Sequence, residues 1–264
     1  MLIAAAVCPH PPLLVPAAAG SAAAELDEMR GACDEAVGVL AAAAPELIVT
    51  VGGGTEDMEF DGGAAGSLAA YGVGWRTGCG APVLPLSLTI GRWLLQRSGL
   101  LDADGEGRRP DRLDAQAGER GEPSRVAPRR DPVRPAPLVR LRATAFSTSP
   151  STCLRIGAEI ASRARRVALL AMGDGPACLS PQAPGYLDPR GELYDAAVSA
   201  ALAGADTGRL ARLDPGLSAE LLAAGRAAWQ VLAGAAGTRA YHGHLHCAAA
   251  PYGVSYLVAS WTRC

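Results

Sequence analysis

Histidine is rare in this 264-residue chain, and its positions point to two segments that could carry chemistry. Of the 4 histidines, His10 lies between Pro9 and Pro11, which restrict the backbone and can fix the direction of the ring. The other three alternate along one short segment, as His242, His244 and His246. A neutral imidazole can ligate a metal ion or transfer a proton. Each segment is therefore a candidate for metal binding or for acid–base chemistry.

Polar residues also follow two of the predicted strands. Asp174 stands between Gly173 and Gly175, directly after the apolar run 167–172. A carboxylate in that position can ligate a metal, orient His10 or act as a base, and it can equally cap a turn. The three glycines of 52–54 are followed by a hydroxyl and by carboxylates, namely Thr55, Glu56, Asp57 and Asp61. These glycines lack the spacing of a nucleotide-binding loop and the chain has no lysine, which favours a tight turn over a phosphate site.

Ligands of open α/β sheets bind beyond the carboxyl ends of the strands, so we expect these groups to meet in one crevice. His10 and Asp174 are the expected catalytic residues. The expected pocket residues flank them or follow the second strand, namely Cys8, Gly53, Thr55 and Gly175. A metal in the crevice would be held by His10 with Glu56, Asp57 and Asp61. Two alternatives stay open: a metal held by the histidines of 242–246, which share one face of an extended segment, or histidines with only structural roles.

The composition argues against several classes of protein. The formal net charge is -2 and all 24 basic residues are arginine, so no basic excess points to nucleic acid. Prolines interrupt the apolar start of the chain, which argues against a signal peptide, and no run reaches the roughly 18 apolar residues of a membrane helix. The 7 cysteines lack Cys-x-x-Cys spacing, which favours reduced thiols. We therefore expect a cytoplasmic protein with no nucleic-acid or membrane partner.

Short apolar segments alternate with helical patterns along the chain. The predicted strands are 2–8, 47–51, 83–88, 167–172 and 254–260, and the predicted helices are 21–43, 151–164, 190–203 and 216–235. This alternation predicts a single α/β domain over 1–264, with a largely parallel central sheet and helices on both faces. Residues 101–137 are rich in Arg, Asp, Glu, Gly and Pro, so we expect a mobile insertion at 101–140. Trp261, in the closing segment of the chain, is a candidate for a homo-oligomer interface.

Several segments resemble one known family. The sequence Val-Cys-Pro-His-Pro-Pro-Leu-Leu-Val-Pro at 7–16 resembles the start of the LigB-type class III extradiol dioxygenases and their relatives, which include the MEMO proteins. Residues 169–175 resemble the family's strand and Gly-Asp turn, 184–195 and 217–235 its helical region, and 250–254 its closing strand. The pattern is similar above all to a group of actinobacterial proteins known only for a domain like that of the class III extradiol dioxygenases. It covers nearly the whole chain except 101–140.

The resemblance implies a LigB-like fold and a ferrous iron held by two histidines and one carboxylate, with a further histidine as acid and base. His10 matches the first iron ligand. The second ligand would follow the second strand, where 53–54 are both glycine, and the acid–base histidine would follow the Gly-Asp turn, where 176–177 are Pro-Ala. The carboxylate ligand would fall near 223–224, which are both alanine and lie one turn from Glu220. One matching position cannot build the usual facial triad.

These observations leave three hypotheses. The first is a LigB-like protein with a degenerate metal site, which binds a small ligand, a metal or a protein partner through the crevice around His10. The second is an enzyme of altered chemistry, in which Glu56, Asp57 or Asp61 replaces the missing histidine and favours Mg²⁺, Mn²⁺ or Ca²⁺ over ferrous iron. The third is a ring-cleavage dioxygenase that uses Fe²⁺ and O₂. We favour the first hypothesis. If a metal is bound, the resemblance implies Fe²⁺, and Zn²⁺ or Mn²⁺ are alternatives. A protein that binds no metal is an equal alternative.

Overall fold

The computed structural model describes residues 1–102, 105, 107 and 135–264. Its strands are β1 (Leu2–Cys8), β2 (Leu47–Gly54), β3 (Met58–Asp61), β4 (Ala64–Ser67), β5 (Arg76–Thr77), β6 (Cys79–Pro82), β7 (Leu138–Ala145), β8 (Val167–Met172), β9 (Tyr241–Ala249) and β10 (Tyr256–Arg263). Its helices are α1 (Pro16–Ala19), α2 (Asp27–Ala42), α3 (Leu86–Arg97), α4 (Pro150–Ser162), α5 (Arg190–Ala203), α6 (Thr207–Ala211), α7 (Pro215–Glu220) and α8 (Arg226–Ala236). Short 3-10 helices cover Pro12–Leu14, Gly20–Leu26 and Ala69–Tyr71.

A seven-stranded sheet in the order β3-β7-β2-β8-β1-β10-β9 forms the centre of the fold. The four inner strands β7, β2, β8 and β1 are parallel to one another. β3 at one edge and the β9–β10 hairpin at the other pair antiparallel. A small sheet in the order β5-β4-β6 is formed by the chain between β3 and α3. The predicted α/β class is confirmed, but the sheet is mixed, because its outer strands reverse direction.

The inner strands are buried on both faces, as their continuous apolar sequences predict. All residues of β8, Val-Ala-Leu-Leu-Ala-Met, are buried. Successive side chains of a strand point to opposite faces. Ala5 and Leu169 pack with residues of α4, α5 and α8, whereas Ala4 and Leu170 pack with residues of α2 and α3. Helices thus cover both faces of the sheet. The carboxyl ends of β1, β2 and β8 lie at one edge because these strands are parallel.

The structure corrects several predicted elements. The segment 83–88 is not a strand, because β6 ends at Pro82 and α3 begins at Leu86, directly after an extended Pro85 that serves as the N-cap. The predicted helix 216–235 is two helices, α7 and α8, separated by a connection in which Leu222 has a φ of 55°. The predicted helix 21–43 is α-helical only from Asp27, after the 3-10 helix. The strand 167–172 and the helix 190–203 are confirmed.

Two further predictions need comment. Most of the insertion expected at 101–140 lies outside the described residues, but its last residues belong to β7, which pairs with β2. Trp261 is not exposed for an interface, because its ring is fully buried and its indole N–H donates to the carbonyl of Leu202 at 2.7 Å, and the homo-oligomer stays a prediction. Within the described residues, every helix is too short or too polar to cross a membrane.

Candidate functional site

The carboxyl ends of β1 and β8 meet the start of α8 in a network of backbone hydrogen bonds. The Gly173 N–H donates to the carbonyl of Cys8 at 3.0 Å, and the Gly225 N–H donates to the carbonyl of Asp174 at 2.9 Å. A side chain at position 173 has no room, because its Cβ would lie 2.3 Å from the Gly225 Cα atom. The glycine before Asp174 therefore lets the turn after β8 pack directly against the N-terminus of α8.

His10 and Asp174 are brought together at this edge, as the sequence predicts. The backbone N–H of His10 donates to Asp174 Oδ1 at 2.7 Å, and the imidazole Nδ1 lies 3.5 Å from the same oxygen. His10 is 7% exposed, and its Nδ1 has no hydrogen-bond partner among the described residues. Asp174 Oδ1 thus holds the loop after β1 and lies beside the His10 ring. The Nδ1 atom of the ring keeps its capacity for a further hydrogen bond.

The pair lies among other groups whose charged forms are disfavoured. Burial raises the pKa of Asp174, and the neighbouring His10 ring and N–H oppose that rise. Tyr256, buried at the start of β10, has a raised pKa because of burial first and the charge of Asp174 second. Burial also raises the pKa of Asp195, which accepts a hydrogen bond from the hydroxyl of Ser255. A buried carboxyl of this kind ionises most readily when a cation such as a protonated imidazole lies beside it.

The predicted pocket residues divide into two groups. Cys8 is fully buried at the end of β1, and Gly175 lies in the turn beside Asp174, where its N–H donates to the carbonyl of Ser255 at 2.8 Å. At the end of β2, the ring of Phe146 lies against Gly53, since a Cβ added there would be 2.3 Å from Phe146 Cε1. Thr55 is exposed in the following turn. Only the first group flanks the His10–Asp174 pair.

The carboxylates that follow β2 serve neighbouring turns. Asp57 accepts hydrogen bonds from the Ala145 N–H at 3.1 Å and the Thr148 hydroxyl at 3.2 Å. Asp61 accepts one from the Gly63 N–H at 2.8 Å, and Glu56 is exposed. The structure thus uses Asp57 and Asp61 to hold the backbone near β7 and β3. The predicted crevice metal set of His10, Glu56, Asp57 and Asp61 is not assembled in the described part of the chain.

The other positions that the resemblance singles out carry backbone contacts instead of ligands. The carbonyl of Pro176 accepts from the Ser255 N–H at 2.9 Å, and the Ala177 N–H donates to the carbonyl of Leu221 at 3.0 Å. Glu220 does not replace the carboxylate missing at 223–224, because it forms an ion pair with Arg190 at 2.6 Å on the surface. These contacts tie the turn after β8 to β10 and α7.

The three C-terminal histidines lie on the edge strand β9 and differ in their surroundings. His242 and His244 are exposed. Val258 pairs with Cys247 and Ala259 with Leu245, so His246 is the extra residue of a β-bulge and the predicted regular alternation fails there. The two ring nitrogens of His246 lie 3.2 Å from Glu35 Oε2 and 2.8 Å from the hydroxyl of Ser260. Its ring centroid is 4.5 Å from that of His244.

Neither histidine segment fits a ferrous iron or a comparable metal ion. Among the described residues, no group of three or more His, Cys, Asp or Glu side chains is arranged to hold one. The positions at which the resemblance implies a second histidine and a carboxylate are glycine and alanine, and Phe146 covers Gly53. On β9, both ring nitrogens of His246 already lie close to protein oxygens. The chemistry that these residues can perform is hydrogen bonding and proton transfer by one imidazole–carboxylate pair.

Two residues of this site are absent from the predicted set. Gly225 lies inside the predicted helix 216–235, whereas the structure makes it the N-cap of α8. A glycine directly before a helix is a known N-cap signal. Tyr256 belongs to the apolar closing strand, and its position beside Asp174 depends on the pairing of β10 with β1. That pairing is a long-range property which no local pattern in the sequence specifies.

A scan of the chain against models of known protein families finds no match, and a search of curated proteins finds no similar sequence.

Proposed function

We propose that this protein binds a small polar ligand at the carboxyl edge of the sheet, through a His10 imidazole held by Asp174. The observation that carries the proposal is the buried His10 Nδ1, which lies 3.5 Å from Asp174 Oδ1 and has no hydrogen-bond partner among the described residues. Buried polar groups are usually satisfied, so one that is not, at the edge where α/β proteins bind ligands, favours a role in function.

The pair would act as follows. The Asp174 carboxylate anchors the backbone of His10, so the ring keeps its position when a ligand arrives. An imidazole has two ring nitrogens, so His10 can donate a hydrogen bond to an acceptor of the ligand or accept one from a donor. The pair therefore suits a ligand that carries a hydroxyl or carbonyl group.

We also propose that the fold is the LigB-like arrangement that the sequence resembles. Four features support it: the parallel inner strands, His10 directly after the first strand, the Gly-Asp turn after β8, and helices on both faces. On this proposal, the chain is a member whose metal site has degenerated, because the positions of the second histidine and the carboxylate lack ligating side chains.

A second candidate is an enzyme of this fold, and the close approach of His10 to a buried carboxyl with a raised pKa favours it. Perturbed titratable groups at a cleft are typical of acid–base catalysts. In this candidate, His10 takes a proton from a substrate hydroxyl and Asp174 stabilises the imidazolium that results. The ferrous-iron ring-cleavage version would require metal ligands that the described residues do not assemble.

Histidine-selective NMR tests the proposal. The chain has 4 histidines, so each ring signal can be assigned from single variants. Catechol and a panel of small alcohols and carboxylates are titrated in turn into protein labelled with ¹⁵N at histidine. We expect at least one compound to shift the His10 signals while His242 and His244 stay unchanged, and the binding to be lost in His10→Asn. A panel that leaves His10 unmoved, or moves only the exposed histidines, would contradict the proposal.

A second assay separates binding from catalysis. Protein loaded anaerobically with ferrous iron is mixed with catechol in air, and the yellow ring-fission product is followed by absorbance. Binding without colour supports the ligand-binding proposal, whereas colour that disappears in His10→Asn supports the enzyme.

A further inference from the structure

A cavity of 310 Å³ opens at the edge of the sheet that carries the His10–Asp174 pair, and neither His10 nor Asp174 lines it. It lies between the residue that follows β7 and the connection from α7 to α8. Its walls are mainly small or apolar and include Phe146, Pro215, Leu222, Ala223 and Ala227. Its volume is at the lower end of the range typical of small-molecule sites, and such sites are mostly apolar with a few placed polar groups.

Arg226 is the charged residue among those that line this cavity. It is 2% exposed and belongs to the first turn of α8. Its Nη1 donates to the carbonyl of Thr148 at 2.6 Å and to Gln230 Oε1 at 3.0 Å, and its Nη2 donates to the carbonyl of Phe146. A guanidinium has five N–H donors, so these contacts leave some of them without an acceptor among the described residues.

The charge of Arg226 is not neutralised by the part of the chain that the structure describes. No carboxylate there forms an ion pair with it. Asp57 is separated from it by Thr148, whose hydroxyl it binds at 3.2 Å, and also lies 3.8 Å from Arg142. The two ionisable neighbours stay neutral at pH 7, because burial raises the pKa of Tyr194 to about 12 and also raises that of Cys153. Buried charges are normally paired, which makes this one exceptional.

Two backbone features lie at the cavity. Leu222, which lines the cavity and is 49% exposed, has a φ of 55°. This conformation ends α7, because the Leu222 N–H donates to the carbonyl of Ala219 at 3.2 Å and the Ala223 N–H donates to the carbonyl of Ser218 at 2.8 Å. In addition, the N-terminus of α8 carries no side-chain cap, so the positive end of its dipole adds to the charge of Arg226.

We propose that this cavity binds a small carboxylic acid in its anionic form, with the carboxylate at Arg226 and an apolar body against Phe146, Leu222 and the alanines. A single negative charge matches a single guanidinium. A phosphate dianion would need more positive charge than one arginine, and its body would not use the apolar walls. The proposal extends ligand binding to a second place on this edge, and it does not depend on His10, which is not among the residues that line the cavity.

Isothermal titration calorimetry of the whole chain with hexanoate, and with the neutral hexanamide, tests this proposal. We expect hexanoate to bind with saturation, and hexanamide to bind more weakly by about tenfold or more, because it lacks the charge. Ala219→Leu places a larger side chain at an exposed position of α7 that lines the cavity, and we expect it to abolish binding. Ala200→Leu, an equally exposed change on α5 away from the cavity, is the matched control and should bind as wild type.

Arg226→Met tests the charge directly, and thermal unfolding first establishes whether it folds, because Arg226 also holds two carbonyls. If folded, it should lose about tenfold or more in affinity for hexanoate. The proposal is overturned if hexanoate fails to saturate, if hexanamide binds equally well, or if Ala219→Leu binds as tightly as Ala200→Leu. These three results can be obtained even if Arg226→Met does not fold.

Discussion

The loop that carries His10 and the edge strand that carries three histidines differ in what surrounds each ring. His10 is buried, approached by one carboxylate, and has an Nδ1 without a hydrogen-bond partner among the described residues. In β9, His242 and His244 are exposed, and His246 has a protein oxygen near each ring nitrogen. The segment with more histidines is therefore the weaker candidate, because a group serves a ligand only when it is positioned and still has bonding capacity.

The largest effect is expected where the backbone packs most closely at the His10 edge. Gly173→Ala would place a Cβ 2.3 Å from the Gly225 Cα atom, so α8 or the turn must move. We expect a loss of about 3 kcal/mol in the free energy of unfolding, measured in urea. Gly38→Ala in α2 is the control, since nothing lies within 4 Å of its added Cβ. That variant should gain about 1 kcal/mol from helix propensity. Equal stabilities of the two variants would refute the close packing of this edge.

The next-largest effect on stability is expected when the acidic partner of a histidine is removed in each region. Asp174→Ala leaves the buried N–H of His10 without its acceptor, which should cost about 2 kcal/mol. Glu35→Ala removes the exposed partner of His246 and should change stability by less than about 0.5 kcal/mol. Urea unfolding of both variants at neutral pH measures the difference. A Glu35 variant that is as destabilised as the Asp174 variant would place the structurally important histidine on β9.

The smallest effect is a dependence of stability on pH. The pKa of Asp174 lies above its ordinary value of 3.8, mainly because of burial. A raised pKa means that this carboxyl stabilises the fold below the pKa of the unfolded chain, and that the contribution is lost as the pH rises through the folded-state pKa. Asp174→Asn keeps an acceptor oxygen but cannot ionise. We therefore expect it to gain stability relative to wild type as the pH rises from below 3.8 to neutral. A difference that is constant with pH, or that falls, would contradict the raised pKa.

Local patterns predict the parts of this fold that local chemistry determines. The run 167–172 is a strand because it is continuously apolar and short, and the meeting of His10 with Asp174 follows from two neighbouring strand ends. The segment 83–88 misleads, since its leucines and prolines suit a strand as well as the start of a helix, and Pro85 decides for the helix. The pairing of β10 with β1 and the cavity at Arg226 arise from contacts between distant segments. No periodicity in the sequence encodes them.

The central claim is that His10 works with Asp174 and not as a ligand of an iron triad, and metal analysis tests it most directly. Untagged protein is loaded anaerobically with ferrous iron and freed of excess metal, in wild type, in His10→Asn, and in a variant with His242, His244 and His246 all changed to alanine. We predict that wild-type protein retains no stoichiometric iron that is lost in His10→Asn. About one iron per chain, retained by the triple variant and lost with His10→Asn, would contradict the account and restore a metal centre at this edge.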